Sequence, residues 1–413
     1  MPRFVADFHI HSRYSRACSK DLNVAELAKW AKLKGIGVLG TGDFTHPLWL
    51  QELKDTLRAT GSGLFEANGA RFLLTAEVNT LFYKGGKAHQ IHHVLLAPSV
   101  EAVERINKEL ESFGSLSFDG RPMLRMEAWR LVEVVLGVEP RCLIVPAHAW
   151  TPWFAMFGST SGFDTVEECF EHQAKHIVAL ETGLSSDPAM NWRLTALDRY
   201  ALISNSDAHS ARRIGREANV FDCELSYDAI ATAIKTKDAT KFLSTIEFFP
   251  EEGKYHFDGH RNCKSRWTPQ ETKRQGGRCP VCGRKVTVGV MHRVDDLADR
   301  PEGLVPERAI PFTRVVPLEE IIAEALEVGV GTQAVEREHQ NLLYHCGTEF
   351  DVLLNAAEDT LRKATTPKIA EGILRMRQGQ VSIEPGFDGE YGKVRIFSEA
   401  QPAAAAEQQL TLF

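Results

Sequence analysis

The stretch Val5-Ala6-Asp7-Phe8-His9-Ile10-His11 opens on a short apolar run, Val5–Ile10, and its Asp7, His9 and then His11 alternate with apolar residues. Alternation of period two reads as a strand, and it sets Asp7, His9 and His11 on one face at the strand's C-terminal end. A helical pattern follows over residues 23–34, with Asn23 as its N-cap, and then a second apolar run, Ile36–Gly40. The alternation continues, with further strands expected at 72–76, 91–97, 142–146, 177–180 and 202–204. Helices are expected between them, at 48–57, 100–113, 124–136, 165–172 and 189–197. Repeated strand–helix units of this kind imply a parallel sheet or an α/β barrel.

Chemistry-bearing residues recur where these strands end. Asp43 follows the second strand, Glu77 the third, His92 and His93 lie in the fourth, His148 follows the fifth, and Asp207 and His209 follow the last. Ten of the fifteen histidines precede residue 210. A lone His or Asp after a strand is usually a cap or a satisfied polar group, and His-x-His alone is weak evidence. Six such segments, each at a strand end, exceed what capping explains. In an α/β barrel the strand C-termini share one mouth, so residues far apart in sequence can meet there. Imidazole with carboxylate suits Zn²⁺, Mn²⁺ or Fe²⁺, with a carboxylate able to bridge two ions.

The 413 residues allow two to three domains. With 25% charged and 43% apolar residues the chain is not disordered or fibrous. No apolar run reaches the ~18 residues of a membrane span, and the first residues lack a secretory pattern. A cytoplasmic, nucleoid-associated protein with no membrane partner is therefore expected. The net charge of −7 argues against nucleic acid as a partner, but it is unevenly spread. Residues 254–293 hold ten Lys and Arg against Asp258 and Glu271, a local balance of 10 − 2 = +8. The same block carries His260-x-x-Cys263 and Cys279-x-x-Cys282 with fifteen residues between, a spacing that suits one tetrahedral structural Zn²⁺. His256 or His292 could stand in for His260. Arg261, Lys264 and Arg266, interleaved with Tyr255, Phe257 and Trp267, suit phosphate contact and base stacking. At the expected barrel mouth, Trp150, Trp153 and Phe154 offer stacking faces, and Asn191 and Asn205 could hydrogen-bond a base edge. The boundaries read as a barrel over 1–250, a zinc-binding basic module over 251–315, a helical DNA-binding region over 316–397 and a tail over 398–413.

The order of His-x-His, Asp, Glu, His-x-x-Leu-Leu-Ala, Ala-His and Asp-x-His resembles the PHP (polymerase and histidinol phosphatase) superfamily of phosphoesterases over about residues 1–250. The resemblance implies a distorted seven-stranded (β/α) barrel with two or three Zn²⁺, Mn²⁺ or Mg²⁺ ions. It makes His9, His11, Glu77, His92, His148, Asp207 and His209 ligands. His92 is favoured over His93 because it stands three positions before Leu-Leu-Ala. Many trinuclear members carry another His where this chain has Ala17, and Thr-Asp-His where it has Gly42-Asp43-Phe44, which makes Asp43, and after it His46, the replacements for the third position.

Residues 254–263 (Lys-Tyr-His-Phe-Asp-Gly-His-Arg-Asn-Cys), 279–283 (Cys-Pro-Val-Cys-Gly), 292–300 and 384–393 extend the likeness to nearly the whole chain, which resembles the endonuclease Q family. That resemblance implies nicking of DNA on the 5′ side of deaminated bases (uracil, hypoxanthine, xanthine) and abasic sites by a metal-bound hydroxide, with Asp207, Glu77, His9 and His11 as the catalytic set. Gln409-Leu410-Thr411-Leu412-Phe413 resembles the bacterial sliding-clamp motif, with Gln409, Leu410, Leu412 and Phe413 as anchors. Damaged DNA and the clamp are then the expected partners. A phosphatase for a small phosphomonoester, or a non-catalytic DNA-binding scaffold, would leave either the zinc block or the ligand set without a use.

Overall fold

In the computed structural model, which describes residues 3–397, the first helix is Val24–Lys34. The Asn23 side chain accepts the Glu26 N–H at its start, and Gly35 ends it in the left-handed region. That helix returns the chain so that Ile36–Gly40 pairs parallel with Phe4–Asp7. Ile36–Gly40 in turn pairs parallel with the strand Ala70–Lys84.

From there the parallel pattern expected from the sequence breaks. Ala70–Lys84 and Lys87–Ala97 form one long antiparallel hairpin, and Lys87–Ala97 pairs antiparallel with Leu143–Pro146. The turn is Gly85-Gly86, both at positive φ, which is what a two-residue hairpin with right-handed twist requires. Ala179–Glu181 and Ala201–Ile203 make a separate parallel pair. The Ala149 N–H donates to the Glu181 carbonyl at 2.9 Å, and Ile10 bridges to Ala208. These contacts bring seven central strands round into a distorted barrel. Outside it, Ala218–Phe221 and Phe242–Glu247 extend the sheet from the free edge of Phe4–Asp7.

Two features of the later chain differ from the expected boundaries. The strand Phe312–Arg314 pairs with Phe242–Glu247, so the end of the basic module returns to the barrel's own sheet. The region after 316 is helical through Leu318–Leu326, Gln333–Cys346, Glu358–Ala364 and Pro367–Arg377. It then turns into a hairpin of Ser382–Glu384 and Lys393–Arg395. That hairpin folds back onto the module: the Gly386 N–H donates to the Glu251 carbonyl at 2.8 Å, and Phe257 bridges to Phe387. Among the described residues no helix is long and apolar enough to cross a membrane.

Candidate metal centre

Three strands deliver one group of four donors. His9 and His11 follow Phe4–Asp7, Glu77 sits within Ala70–Lys84, and Asp207 follows Ala201–Ile203; one donor atom from each lies within 4.8 Å of the others. His11 Nε2 stands 3.0 Å from Asp207 Oδ1 and 3.3 Å from Glu77 Oε2. His9 Nε2 stands 3.5 Å from Glu77 Oε2 and 3.6 Å from Asp207 Oδ1. Glu77 also belongs to a second group. Its Oε1 lies 2.8 Å from His92 Nδ1 and 3.1 Å from His148 Nε2, and those two nitrogens are 3.2 Å apart. One buried carboxylate therefore joins both groups, an oxygen to each.

The surrounding side chains fix which nitrogen each imidazole presents. Both Glu181 oxygens lie 3.0 Å from His9 Nδ1, and Asp43 Oδ1 lies 3.0 Å from His11 Nδ1. A carboxylate that accepts from Nδ1 leaves Nε2 as the lone-pair nitrogen, the arrangement found behind metal-bound histidines. Asp43, expected as a ligand, thus stands behind His11 and outside both donor groups. Its second oxygen accepts from the Ser12 N–H, Ser12 Oγ and Ser15 Oγ at 2.6, 2.6 and 2.9 Å, which leaves it turned away from the donor groups. His46 also stays apart, stacked on Tyr14 with ring centres 4.5 Å apart. His209 lies beside His11 at 4.6 Å between ring centres but outside both groups, and its Nδ1 is bonded to the Asp207 carbonyl. His93 points away, bonded to Thr80 Oγ1 and edge-on to Phe170.

Electrostatics follow from this packing. Burial depresses an imidazole, but the charges of Glu181, Glu77 and Asp207 outweigh it and hold His9 well above the ordinary histidine value. Burial would raise the Glu77 carboxyl; His92, Arg121 and His9 together hold it well below the usual range. At His92 burial wins and lowers the ring to about 4, so it is a neutral donor. The residues fit dications by a direct test. His9 Nε2 is buried and has no hydrogen-bond partner among the described residues. Its spacing from two carboxylate oxygens is too long for a hydrogen bond, but it matches the roughly 3.3–3.6 Å between neighbouring donors around a tetrahedral ion.

Three residues expected to meet a base are committed elsewhere. Trp150 is core: its indole N–H donates to Asn191 Oδ1 at 2.8 Å and its ring packs on Phe157. Asn191 spends its amide on Ser186 and Asp187. Asn205 accepts from the Phe8 N–H and donates to Glu181 Oε1, so it braces the metal centre from below. Buried amides need these partners, which leaves none for a ligand. Trp153 and Phe154 do reach solvent, each 41% exposed. Phe154 lies parallel to His92 at 5.1 Å, in a left-handed backbone conformation (φ +63°) unusual for an aromatic residue.

Sequence reasoning missed Glu181, which holds His9, the His148 N–H and Asn205 together. Its signal was present: a carboxylate one residue past an expected strand, in the same position as Glu77.

The cysteine block folds as a second donor group, His260, Cys263, Cys279 and Cys282, with donor atoms within 4.8 Å of one another. His292 is bonded to Asp258, and buried His256 lies outside the group. Not all of the +8 block is open to a ligand. Arg293 donates to the carbonyls of Phe157 and Phe163, and Lys273 pairs with Asp295 and Asp296; both tie the module to itself or to the barrel mouth. Arg261, Lys264 and Arg266 are exposed, although Arg266 also donates to the Pro385 carbonyl. Cys279→Ser is expected to lower bound zinc by one ion per chain and to expose residues 254–293 to protease, with the barrel still resistant. Full zinc content in that variant, measured by mass spectrometry, would dismiss the group as a metal site.

A distorted barrel with one carboxylate shared between two imidazole groups defines a class of protein built around a candidate centre for divalent ions. Comparison with known proteins narrows the class. Residues 317–380 match the family described as the MJ0043 C-terminal domain. The uncharacterized protein MJ0043 of Methanocaldococcus jannaschii is 33% identical over 257 residues, 60% of this chain and 31% of that protein, so the match spans about a third of that relative. The uncharacterized protein YqxK of Bacillus subtilis is 27% identical over 96% of this chain and 100% of its own. Among solved structures, the lesion-specific endonuclease PfuEndoQ from Pyrococcus furiosus superposes with a TM-score of 0.86 at 32% identity, covering 96% of both chains. Endonuclease Q in complex with a 27-mer duplex carrying an abasic lesion at the active site gives 0.84 at 32% identity, covering 96% and 97%. The chain belongs to the endonuclease Q family.

Proposed function

We propose that the protein is a DNA-repair endonuclease that hydrolyses the phosphodiester on the 5′ side of deaminated bases (uracil, hypoxanthine, xanthine) and of abasic sites. One observation carries the reading: Tyr255, in the basic cysteine module, lies edge-on to Trp153 at 4.8 Å, and the neighbouring Phe154 lies parallel to His92 of the metal centre at 5.1 Å. A likeness over nearly the full chain to an enzyme crystallised with an abasic duplex supports it. When bound, divalent ions supply an ionised water near neutral pH and neutralise charge on the reacting phosphate.

The chain's own residues supply the rest. Glu77 holds the two donor groups in register, while Glu181 and Asp43 keep His9 and His11 from turning. Phe154, beside His92, and Trp153, beside Tyr255, offer half-exposed rings on which an extrahelical base can stack, and removing a base from the helix costs least where its pairing is already weak. Arg261, Lys264 and Arg266 face solvent and can follow the phosphate backbone.

The deciding experiment incubates the protein and Mn²⁺ or Mg²⁺ with labelled duplexes carrying one deoxyuridine, deoxyinosine, deoxyxanthosine or abasic site, with a phosphomonoester beside them. A single nick 5′ to each lesion is expected. Phosphate release without nicking would overturn the reading in favour of a phosphatase, and no product at all in favour of a scaffold.

Gln409, Leu410, Leu412 and Phe413 lie outside the described residues, and the clamp assignment rests on their sequence. Removing 409–413 is expected to abolish capture of a bacterial sliding clamp in a pull-down and to leave nicking of short duplexes unchanged. Equal capture by both forms would end the assignment.

A further inference from the structure

We propose that Arg121 is a catalytic residue that grips a non-bridging oxygen of the phosphodiester being cut. The proposal rests on the phosphodiesterase reading of the metal centre and adds to it a charge the ions do not provide.

Arg121 Nη1 donates to Glu77 Oε2 at 3.0 Å, the same oxygen that faces His9 and His11. Glu77 is fully buried, whereas the Arg121 side chain is 26% exposed, so the guanidinium runs from the shared carboxylate out to the open mouth. A guanidinium has five donors in a rigid fork. One is spent on Glu77, which leaves others, on a side chain 26% exposed, for a substrate phosphate.

The residue is held in place from both sides. The Gly120 N–H donates to the Tyr14 carbonyl at 3.1 Å, and its carbonyl accepts from Thr45 Oγ1 at 3.2 Å. A side chain at 120 would meet Asp43 Oδ2 at 2.3 Å, so only glycine lets this loop approach the His11 support so closely. On the other side, the Pro122 carbonyl accepts the Asn79 N–H at 3.0 Å, two residues along the strand from Glu77. The Arg121 N–H closes a turn onto Asp119 Oδ1 at 3.1 Å. A donor fixed in this way loses little freedom when charge develops in front of it, which is the condition for strong transition-state stabilisation.

The simpler role, a counter-ion for Glu77, fits poorly once the centre is loaded. Bound dications would neutralise Glu77 and weaken that pairing, which would leave the guanidinium available to charge developing on the phosphodiester.

The test compares wild type, Arg121→Ala and Arg121→Lys in single-turnover nicking of an abasic duplex, with metal content and duplex affinity measured on each. Loss of one preorganised donor should slow Arg121→Ala on the order of 10²–10³-fold, and Arg121→Lys should recover part of it. Metal content and affinity should stay near wild type. Sulfur substituted stereospecifically for the gripped phosphate oxygen should slow the wild type and leave Arg121→Ala almost unaffected. An undiminished rate, a loss that tracks missing metal, or equal sulfur effects in both proteins would each overturn the proposal. If wild type leaves every lesion duplex intact, the endonuclease reading fails by itself. The same three proteins acting on bis(4-nitrophenyl) phosphate would then decide the role of Arg121 separately.

Discussion

Glu77→Gln is expected to lower single-turnover nicking on the order of 10³–10⁴-fold, since ionic stabilisation of a phosphoryl transition state is worth several kcal/mol and each 1.36 kcal/mol is tenfold. The reason is connectivity. Glu77 Oε1 faces His92 and His148, and Oε2 faces His9, His11 and Arg121. A glutamine fills the same space with one acceptor in place of two charged oxygens, so one of the groups loses its anion outright. Asp207→Ala is the informative contrast. Asp207 belongs to the first group only, so His92, His148 and Glu77 remain as a three-donor set. Mass spectrometry should find metal depleted from both groups in Glu77→Gln and from one in Asp207→Ala, with nicking suppressed in each. Wild-type metal content and rate in Glu77→Gln would show that the carboxylate does not join the groups.

What the sequence disclosed and what it hid separate along physical lines. Local signals were readable: the Asn23 cap, the Ile36–Gly40 strand and the His-x-His face, whereas the preference for His92 over His93 came from the family resemblance and not from the residues alone. Cysteine spacing was readable because a tetrahedral site constrains chain length on both sides of the metal. Strand direction was hidden. An apolar run is the same whether its neighbour runs parallel or antiparallel, and the Gly85-Gly86 turn that decides the matter lies beyond the apolar part of either strand. Assigning roles to polar residues at the mouth was harder still. Asp43 and Asn205 look like ligand or base contacts in sequence, yet they and Glu181, which the sequence reading missed, stand underneath, where buried imidazoles require partners to hold their tautomer. A barrel mouth needs two layers of polar residues, and sequence position alone does not tell the upper from the lower. The charge pattern behaves likewise. The +8 block reads as one face, but Lys273 and Arg293 are used to fasten the module.

The fastening of the helical region to the barrel supports the second large effect, on stability. Lys34, in the last turn of Val24–Lys34, donates to Glu349 Oε1 at 2.9 Å, and His339 Nε2 lies 3.0 Å from Glu349 Oε2, all three being buried. Burial alone would raise the Glu349 carboxyl, but Lys34 and His339 bring it down to about 2 from an ordinary 4.5. A depressed carboxylate contributes stability that is complete above its unfolded pKa and is lost as pH falls through the folded one. The window here runs from about pH 4.5 down to about 2, and the shift corresponds to about 3 kcal/mol. Lys34→Met leaves that charge buried without its main partner and is expected to destabilise the helical region against the barrel by about 3–5 kcal/mol at pH 7. Lys34→Met combined with Glu349→Leu should recover most of the loss, because an apolar pair needs no compensation. Trp30 lies at the junction, its ring 6.5 Å from His339, so urea unfolding followed by fluorescence, with Trp30 as the one tryptophan retained of seven, reads the effect. Acidification from pH 4.5 toward 2 should weaken the wild type more steeply than the double variant. Parallel pH profiles would mean that Glu349 is not what holds these two parts of the chain together.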